Sequence, residues 1–307
     1  LGPFLDEGFV DPLRVPLAES PEAEIPVARQ LIQRTGGYAT AAPLPRLCPE
    51  ILHPGDLPSP LARNGLLPDT KHPLVIGRST LADLPPERIT SAGTEWDAAF
   101  VAEPHFESLA DGRPVILSSS HPREWASLRN VLAWLRVHRP GSPVILKREG
   151  EGEDPETFVV HSAAILSPLL QEGFGNALWL NHPQTDGDTL AEISLRILQA
   201  AGRRISHAAF VSCPSCGRTQ YNIEETLKKI REKTAHLAGL TIGVMGCIVN
   251  GPGEMAGADY GYVGAGKGKV TLYKGKEPVK KEIPEASAVE ELIRLIQENG
   301  DWHEPKS

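Results

Sequence analysis

Two rhythms of apolar positions run along this chain. Short apolar blocks at Pro73–Ile76, Ala98–Val101, Pro114–Leu117, Pro143–Leu146, Phe158–Val160 and Ala177–Leu180 read as buried strands. Longer stretches with helical spacing, Arg123–His138, Ser162–Gln171 and Asp188–Ala201, lie among them. Strand–helix alternation of this kind predicts a parallel sheet with helices laid over it. Upstream, Asp11–Leu17 reads as a short strand. Ser20-Pro21-Glu22 then opens a helix that carries Ile25, Val27 and Leu31 and stops at Gly36-Gly37. Residues 38–71, rich in Pro and Leu, read as a long connection with a short helix near Ser59–Leu66.

The rhythm changes after residue 205. A strand over 208–212 is followed by a helix, Ile223–Ala235, and a strand over 240–245. Strands at Tyr260–Val263 and Lys269–Tyr273 and a helix at Ser287–Asn299 complete the pattern. Ser287 and Glu290 have the spacing of a capping box, and Leu292, Ile293, Leu295 and Ile296 form the buried stripe of that last helix. Gly264-Ala265-Gly266-Lys267-Gly268-Lys269 lacks the Ser/Thr and the helix that follow a phosphate-binding loop, so it reads as a hairpin.

A weak internal repeat also stands out. Pro3–Phe9 aligns with Pro168–Phe174, and Leu13 and Val15 align with Leu178 and Leu180, which sets Trp179 opposite Arg14. The repeat suggests that 38–205 ends as a (β/α) barrel ends. The expected architecture is therefore α/β: a TIM-barrel-like parallel β/α domain, short of strands, followed by an α+β domain. His121-Pro122-Arg123 and His182-Pro183 follow predicted strands and read as turn residues.

The chemistry concentrates between Cys213 and Glu254. Three of the four cysteines lie there: Cys213 and Cys216 in a C-x-x-C turn, and Cys247 in the Gly/Pro-rich loop Gly246–Glu254. A C-x-x-C turn lets two thiolates grip one metal centre, and a third thiolate from a separate loop is how proteins hold iron–sulfur clusters and zinc. Both loops follow predicted strands, so the thiols should face one site. A fourth ligand comes from Cys48, from a carboxylate with Glu254 the nearest, or the position stays open.

The motifs CPSCGRT, GCIVNGPGEM and DYGYVGAGKGKV resemble the iron–sulfur domain of the 4-hydroxy-3-methylbut-2-enyl diphosphate synthases (IspG, also called GcpE), above all the three-domain form of plants and some bacteria. The resemblance covers residues 206–307 closely and is looser upstream. It implies a [4Fe–4S] cluster held by Cys213, Cys216, Cys247 and Glu254, in a domain similar to those of sulfite and nitrite reductases. It implies reductive opening of 2-C-methyl-D-erythritol 2,4-cyclodiphosphate in isoprenoid biosynthesis, with ferredoxin or flavodoxin as electron donor. Glu254 would act as the exchangeable ligand, and Asn250 would donate a hydrogen bond to a substrate oxygen.

The same resemblance divides the chain. Residues 1–37 would be the last strand and helix of an N-terminal TIM barrel otherwise missing here, 38–205 an inserted structural domain, and 206–307 the cluster domain. Arg14 fits the family's diphosphate contact, but Pro16 stands where the family has a serine, removing a hydroxyl and an N–H. A chain without the rest of that barrel is expected to be inactive alone. A homodimer is a further assembly the resemblance admits, and its settings are the bacterial cytoplasm or a plastid stroma.

Composition narrows the alternatives. The 307 residues are 40% hydrophobic and 23% charged, with no apolar run long enough to span a membrane and no signal-peptide pattern after Leu1. The net charge of −8 sits before Ser206: 18 basic against 26 acidic residues there, and 13 of each from Ser206 on. No basic excess argues for nucleic acid. Lysines 267, 269, 274, 276, 280 and 281 offer a surface for an acidic electron carrier, or a merely solvated edge strand. Two rival readings stay open on the residues alone. A structural zinc domain would use the three cysteines with Cys48 or a histidine, but zinc ribbons repeat C-x-x-C in the second loop. An electron-carrier module would not need so large an α/β chain.

Overall fold

The structure, a computed structural model, describes residues 21–34, 72–90, 94–98, 113–213 and 217–305, together with Pro3, Leu5, Val15 and Pro43. The predicted strand Asp11–Leu17, the helix near Ser59–Leu66, most of Ala98–Val101, Arg14, Cys48, Cys216 and the first copy of the repeat lie outside the described residues, apart from Pro3, Leu5 and Val15. Val27–Arg204 falls in one compact unit and Ile205–Ser307 in another.

A 3-10 turn at Pro21–Ala23 leads into helix α1 (Glu24–Gln33), at the predicted place. The first sheet follows: β1 (Leu74–Ile76), α2 (Pro86–Thr90), β2 (Thr94–Asp97), β3 (Val115–Ser118), α3 (Glu124–His138), β4 (Val144–Glu149), α4 (Pro155–Gln171), β5 (Ala177–Asn181) and α5 (Gly187–Ala200). All its pairings are parallel, in the order β1-β5-β4-β3-β2.

The three long helices pack on one face of this sheet. Trp125, Leu128 and Leu132 of α3, Phe158, Ile165 and Leu169 of α4, and Leu195 and Leu198 of α5 close over Val75, Val115, Leu117, Leu146 and Leu178. The other face carries a smaller cluster, Leu74, Ile76, Leu84, Ile116, Ile145 and Ala177. Near-continuous burial along the strands is what a parallel sheet requires. Pairing of the first strand with the last, and helices on one side only, are habits of a (β/α) barrel. A closed barrel is nevertheless not what these residues form. Among the described residues β1 and β2 are unpaired with each other, and the sheet is open with five strands.

One predicted strand is wrong. Phe158–Val160 lies inside α4, and that helix begins at Pro155 rather than near Ser162. Asp154 caps it, its carboxylate accepting from the Thr157 amide at 3.0 Å, and Pro155 takes the first turn, where its missing N–H costs nothing. Phe158 is apolar because it faces the core. The same turn anchors a buried charge group. Arg148, 5% exposed, donates to Glu153 at 2.8 Å and 3.0 Å, to Ser162 at 3.1 Å and to Glu124 at 3.4 Å. His161 lies between two acceptors, Glu153 Oε1 at 3.1 Å and the Gln30 carbonyl of α1 at 2.9 Å.

The second unit holds β6 (Ala209–Ser212), α6 (Ile223–Thr234), β7 (Thr241–Met245), α7 (Gly251–Glu254), β8 (Tyr260–Gly266), β9 (Lys269–Lys274), β10 (Glu277–Pro284) and α8 (Glu285–Glu298). The sheet is mixed, in order β10-β9-β8-β7-β6. The pairs β6–β7 and β7–β8 are parallel, and β8–β9 and β9–β10 are antiparallel. Leu227 and Ile230 of α6 and Ala288, Leu292, Leu295 and Ile296 of α8 cover one face, over Ile242, Val244, Tyr260, Tyr262 and Leu272. Lys267-Gly268 makes the predicted hairpin turn, with Gly268 at φ +69°. The last helix starts two residues before the predicted cap: it begins at Glu285, and the Ser287 hydroxyl donates back to the Pro284 carbonyl.

Candidate metal centre

Parallel pairing decides where the thiols sit. β6 and β7 run side by side in the register Ala209↔Thr241 to Ser212↔Val244, so their C-terminal ends open on the same edge of the sheet. Cys213 immediately follows β6, and Cys247 comes two residues after β7. Neither is disulfide-bonded and both are half-buried. Cys213 packs against a small apolar cluster of Met245, Met255, Ala258, Val263 and Tyr273.

The segment after the C-x-x-C turn is fastened to the segment before Cys247. The Gly246 amide donates to Cys213 Sγ at 3.2 Å, the Gln220 amide donates to the Gly246 carbonyl at 3.0 Å, and the Tyr221 hydroxyl donates to the Met245 carbonyl at 3.0 Å. Gly246 is tightly packed, since a Cβ there would meet the Ile223 and Thr219 side chains at 2.9 Å. Burial, with Tyr262 and Cys213 adding to it, pushes the Tyr221 phenol well above its ordinary range, so it stays a neutral donor.

After Cys247 the chain turns tightly. The Gly251 amide donates to the Cys247 carbonyl at 3.2 Å and the Glu254 amide to the Asn250 carbonyl at 3.0 Å, closing the one-turn helix α7 with Pro252 in its first turn. Gly251 is buried against Met245, which leaves no room for a side chain. Asn250 and Glu254 are exposed. Among the described residues neither the Asn250 amide group nor the Glu254 carboxylate has a hydrogen-bond or ion-pair partner. Met255, next to Glu254, is in the apolar cluster on which Cys213 rests. Ile248 and Val249, beside Cys247, are 54% and 64% exposed.

Of the described part of the predicted ligand set, Cys213 and Cys247 thus share one edge of the second sheet, while Asn250 and Glu254 follow Cys247 at α7, which packs against β7 and β8. Among the described residues no group of three or more His, Cys, Asp and Glu side chains is placed to hold a metal ion. Reduced thiols on two neighbouring loops, with a backbone amide donating to one sulfur, nonetheless have the donor chemistry of an iron–sulfur site. The sequence reading includes Gly246 in the cysteine loop but misses Tyr221 as part of this edge. A signal for Tyr221 existed: it is the one aromatic residue between the C-x-x-C turn and Asn222, whose side chain caps α6. The lysine surface is partly neutralised. Lys269 pairs with Glu282, Lys280 with Glu291 and Glu298, and Lys274 bonds to Asn299.

The two histidines that follow strands are held in turns. His182 Nδ1 accepts from the Gln184 amide at 3.3 Å and lies 2.9 Å from the Thr185 hydroxyl, while Nε2 faces the Glu153 carbonyl at 3.1 Å. His121 Nδ1 accepts from the Arg123 amide at 3.0 Å.

Comparison with known proteins fits this edge. Residues 209–298 match the GcpE protein C-terminal domain. The chain is 37% identical, over 98% of its length and 58% of the relative's, to a 4-hydroxy-3-methylbut-2-en-1-yl diphosphate synthase (flavodoxin) of Parabacteroides distasonis. It is 39% identical to a protein of the same name from Porphyromonas gingivalis, over 99% of this chain and 57% of the relative's. A Chlorobaculum tepidum protein, also so named, is 51% identical over 48% of this chain and 20% of its own length. The chain therefore spans a little under three fifths of the length of the first two of these relatives. With its C-terminal domain matched and its whole length similar to these synthases, the chain belongs to the GcpE family.

Proposed function

We propose that this chain carries the cluster-bearing part of an enzyme of isoprenoid biosynthesis by the non-mevalonate route. The enzyme opens 2-C-methyl-D-erythritol 2,4-cyclodiphosphate reductively to (E)-4-hydroxy-3-methylbut-2-enyl diphosphate. The observation that carries this reading is the presentation of Cys213 and Cys247 on loops at the ends of adjacent parallel strands, inside the region matched by the GcpE domain. Cys213, Cys216, Cys247 and Glu254 are the proposed ligands of a [4Fe–4S] cluster. When bound, that group would supply two electrons, one at a time, and Lewis acidity.

The chain's own residues do the rest. Glu254 offers an exposed carboxylate with no partner among the described residues, and it would add a hard, exchangeable donor to the soft thiolates. Asn250 offers an exposed amide one turn earlier, which would donate a hydrogen bond to a substrate oxygen. Ile248 and Val249 are apolar side chains that would exclude water once covered by the substrate-bearing part of the enzyme.

Arg14 is the proposed diphosphate contact. A diphosphate needs several cationic groups, so the remaining ones are expected from the part of the relatives' length that this chain does not span. Residues 38–205 are proposed to be a barrel-like spacer, and the names of the relatives support flavodoxin rather than ferredoxin as the electron donor.

Anaerobic reconstitution with iron and sulfide tests the reading. A brown protein with iron and labile sulfide is expected. A colourless protein that binds only zinc would replace it with the structural zinc domain.

A further inference from the structure

Tyr221 and Cys213 are joined through a single peptide group. The Tyr221 hydroxyl donates to the Met245 carbonyl at 3.0 Å, and the N–H of that same peptide unit, on Gly246, donates to Cys213 Sγ at 3.2 Å. A donor on the carbonyl oxygen draws electron density out of the amide and makes its N–H a stronger donor, so the two bonds reinforce each other. The peptide between them is buried: Met245 is 0% exposed and Gly246 is buried, while Tyr221 and Cys213 are half-buried.

The tyrosine ring is held in place. It stands edge-on to the buried Tyr262, with centroids 5.2 Å apart and planes at 71°, and it packs against the core of the second unit. Packing alone would be served by phenylalanine. The hydroxyl adds a bond that leads through the amide to the sulfur. Tyr262, by contrast, presents a hydroxyl with no hydrogen-bond partner among the described residues.

We propose that Tyr221 is a positioning residue for Cys213: acting through the Met245–Gly246 peptide, it strengthens the N–H···S bond and so makes a cluster ligated by Cys213 easier to reduce. Hydrogen bonds to cluster sulfurs withdraw negative charge and favour the reduced state, which is one of the ways a protein sets such potentials. The inference rests on the reading of Cys213 as a cluster ligand.

The test is the midpoint potential of the reconstituted protein, followed by EPR in a redox titration, with iron and sulfide counted first. Tyr221→Phe should take up the same iron and shift the midpoint to a more negative value. Replacement of Tyr221 by 3-fluorotyrosine, a stronger donor of the same shape, should shift it the other way. Tyr262→Phe should leave it in place. A Tyr221→Phe midpoint equal to wild type, or an equal shift from Tyr262→Phe, overturns the proposal. If Tyr221→Phe takes up no cluster, the fluorotyrosine protein decides, and an unmoved midpoint there overturns it. A wild-type chain that takes up no iron overturns the cluster reading itself, and this inference with it. Normal iron with unmoved midpoints overturns only the role of Tyr221.

Discussion

Gly264 of β8 lies directly against the carbonyl of Gly246: a Cβ built on Gly264 would come within 2.4 Å of that oxygen. The contact locks the strand that follows the metal-site loop to the peptide that donates to Cys213. Gly264→Ala must push the Gly246 carbonyl away, and with it the bonds from Gln220 and to Cys213. Overpacking of this kind costs roughly 1–3 kcal/mol. The expected result is a lower melting temperature for the apo-protein together with a sharply reduced iron content after reconstitution. Wild-type values of both would show that the loop moves aside freely.

The cysteines should separate cleanly by role. Cys213→Ser, Cys216→Ser and Cys247→Ser are each expected to abolish iron uptake, and Cys48→Ser to leave it intact. Stability should move little, because Cys213 and Cys247 are half-buried on loops rather than in either core. Glu254→Gln should leave apo-protein stability within about 0.5 kcal/mol, as expected for an exposed side chain outside any bonded network, while changing the spectrum of the bound cluster. Loss of iron on replacing Cys48 would overturn the ligand assignment.

The cap of α4 gives a test independent of the metal. Asp154 accepts from the Thr157 amide at 3.0 Å, so Asp154→Ala should lower the unfolding midpoint of the first unit. Asp154→Asn, which keeps the acceptor, should lose much less. Equal losses would assign the effect to charge rather than to the hydrogen bond.

That helix also shows where the sequence misleads. Phe158-Val159-Val160 has the composition of a strand, and the reading followed the apolar run instead of the Asp154-Pro155-Glu156 start signal before it. A short apolar run cannot tell a strand from the buried first turns of a helix, and only the cap arbitrates. The opposite error hid β10. Glu277–Pro284 is an exposed edge strand, charged and broken by register shifts against β9, so it carries no alternation to find. Ser287 looked like a cap because of Glu290, yet the helix takes its start at Pro284, which fixes its own φ. The cysteine loops were legible because their chemistry is written in residue types at fixed spacing. The bond from Tyr221 was not, since it runs to a backbone carbonyl and depends on the pairing of two strands.

The buried charge group around Arg148 should govern the acid stability of the first unit. Burial by itself would raise the carboxyl of Glu153, but hydrogen bonds from His161 and Arg148 outweigh it and hold the pKa down at about 2, against an ordinary 4.5. A carboxyl depressed in the folded state contributes stability that is complete above about pH 4.5 and is lost as pH falls through about 2. At roughly 1.4 kcal/mol per unit this is on the order of 3 kcal/mol. Glu124 works with the opposite sign. Burial raises its pKa despite Arg148 at 3.4 Å, so its contribution is present below its ordinary value and declines as pH rises through the elevated one. Stability of the first unit, followed by urea unfolding on the fluorescence of buried Trp96 and Trp125, should therefore fall from pH 4.5 downward and also decline as pH rises above the ordinary carboxylate range. Glu153→Gln should remove the acid-side slope and destabilise at pH 7. Glu124→Gln, which keeps an acceptor for Arg148, should remove only the decline with rising pH. Arg148→Met should be worse than either at pH 7, because it leaves two half-buried carboxylates without their cation. An acid limb unchanged by Glu153→Gln would place the proton-linked group elsewhere.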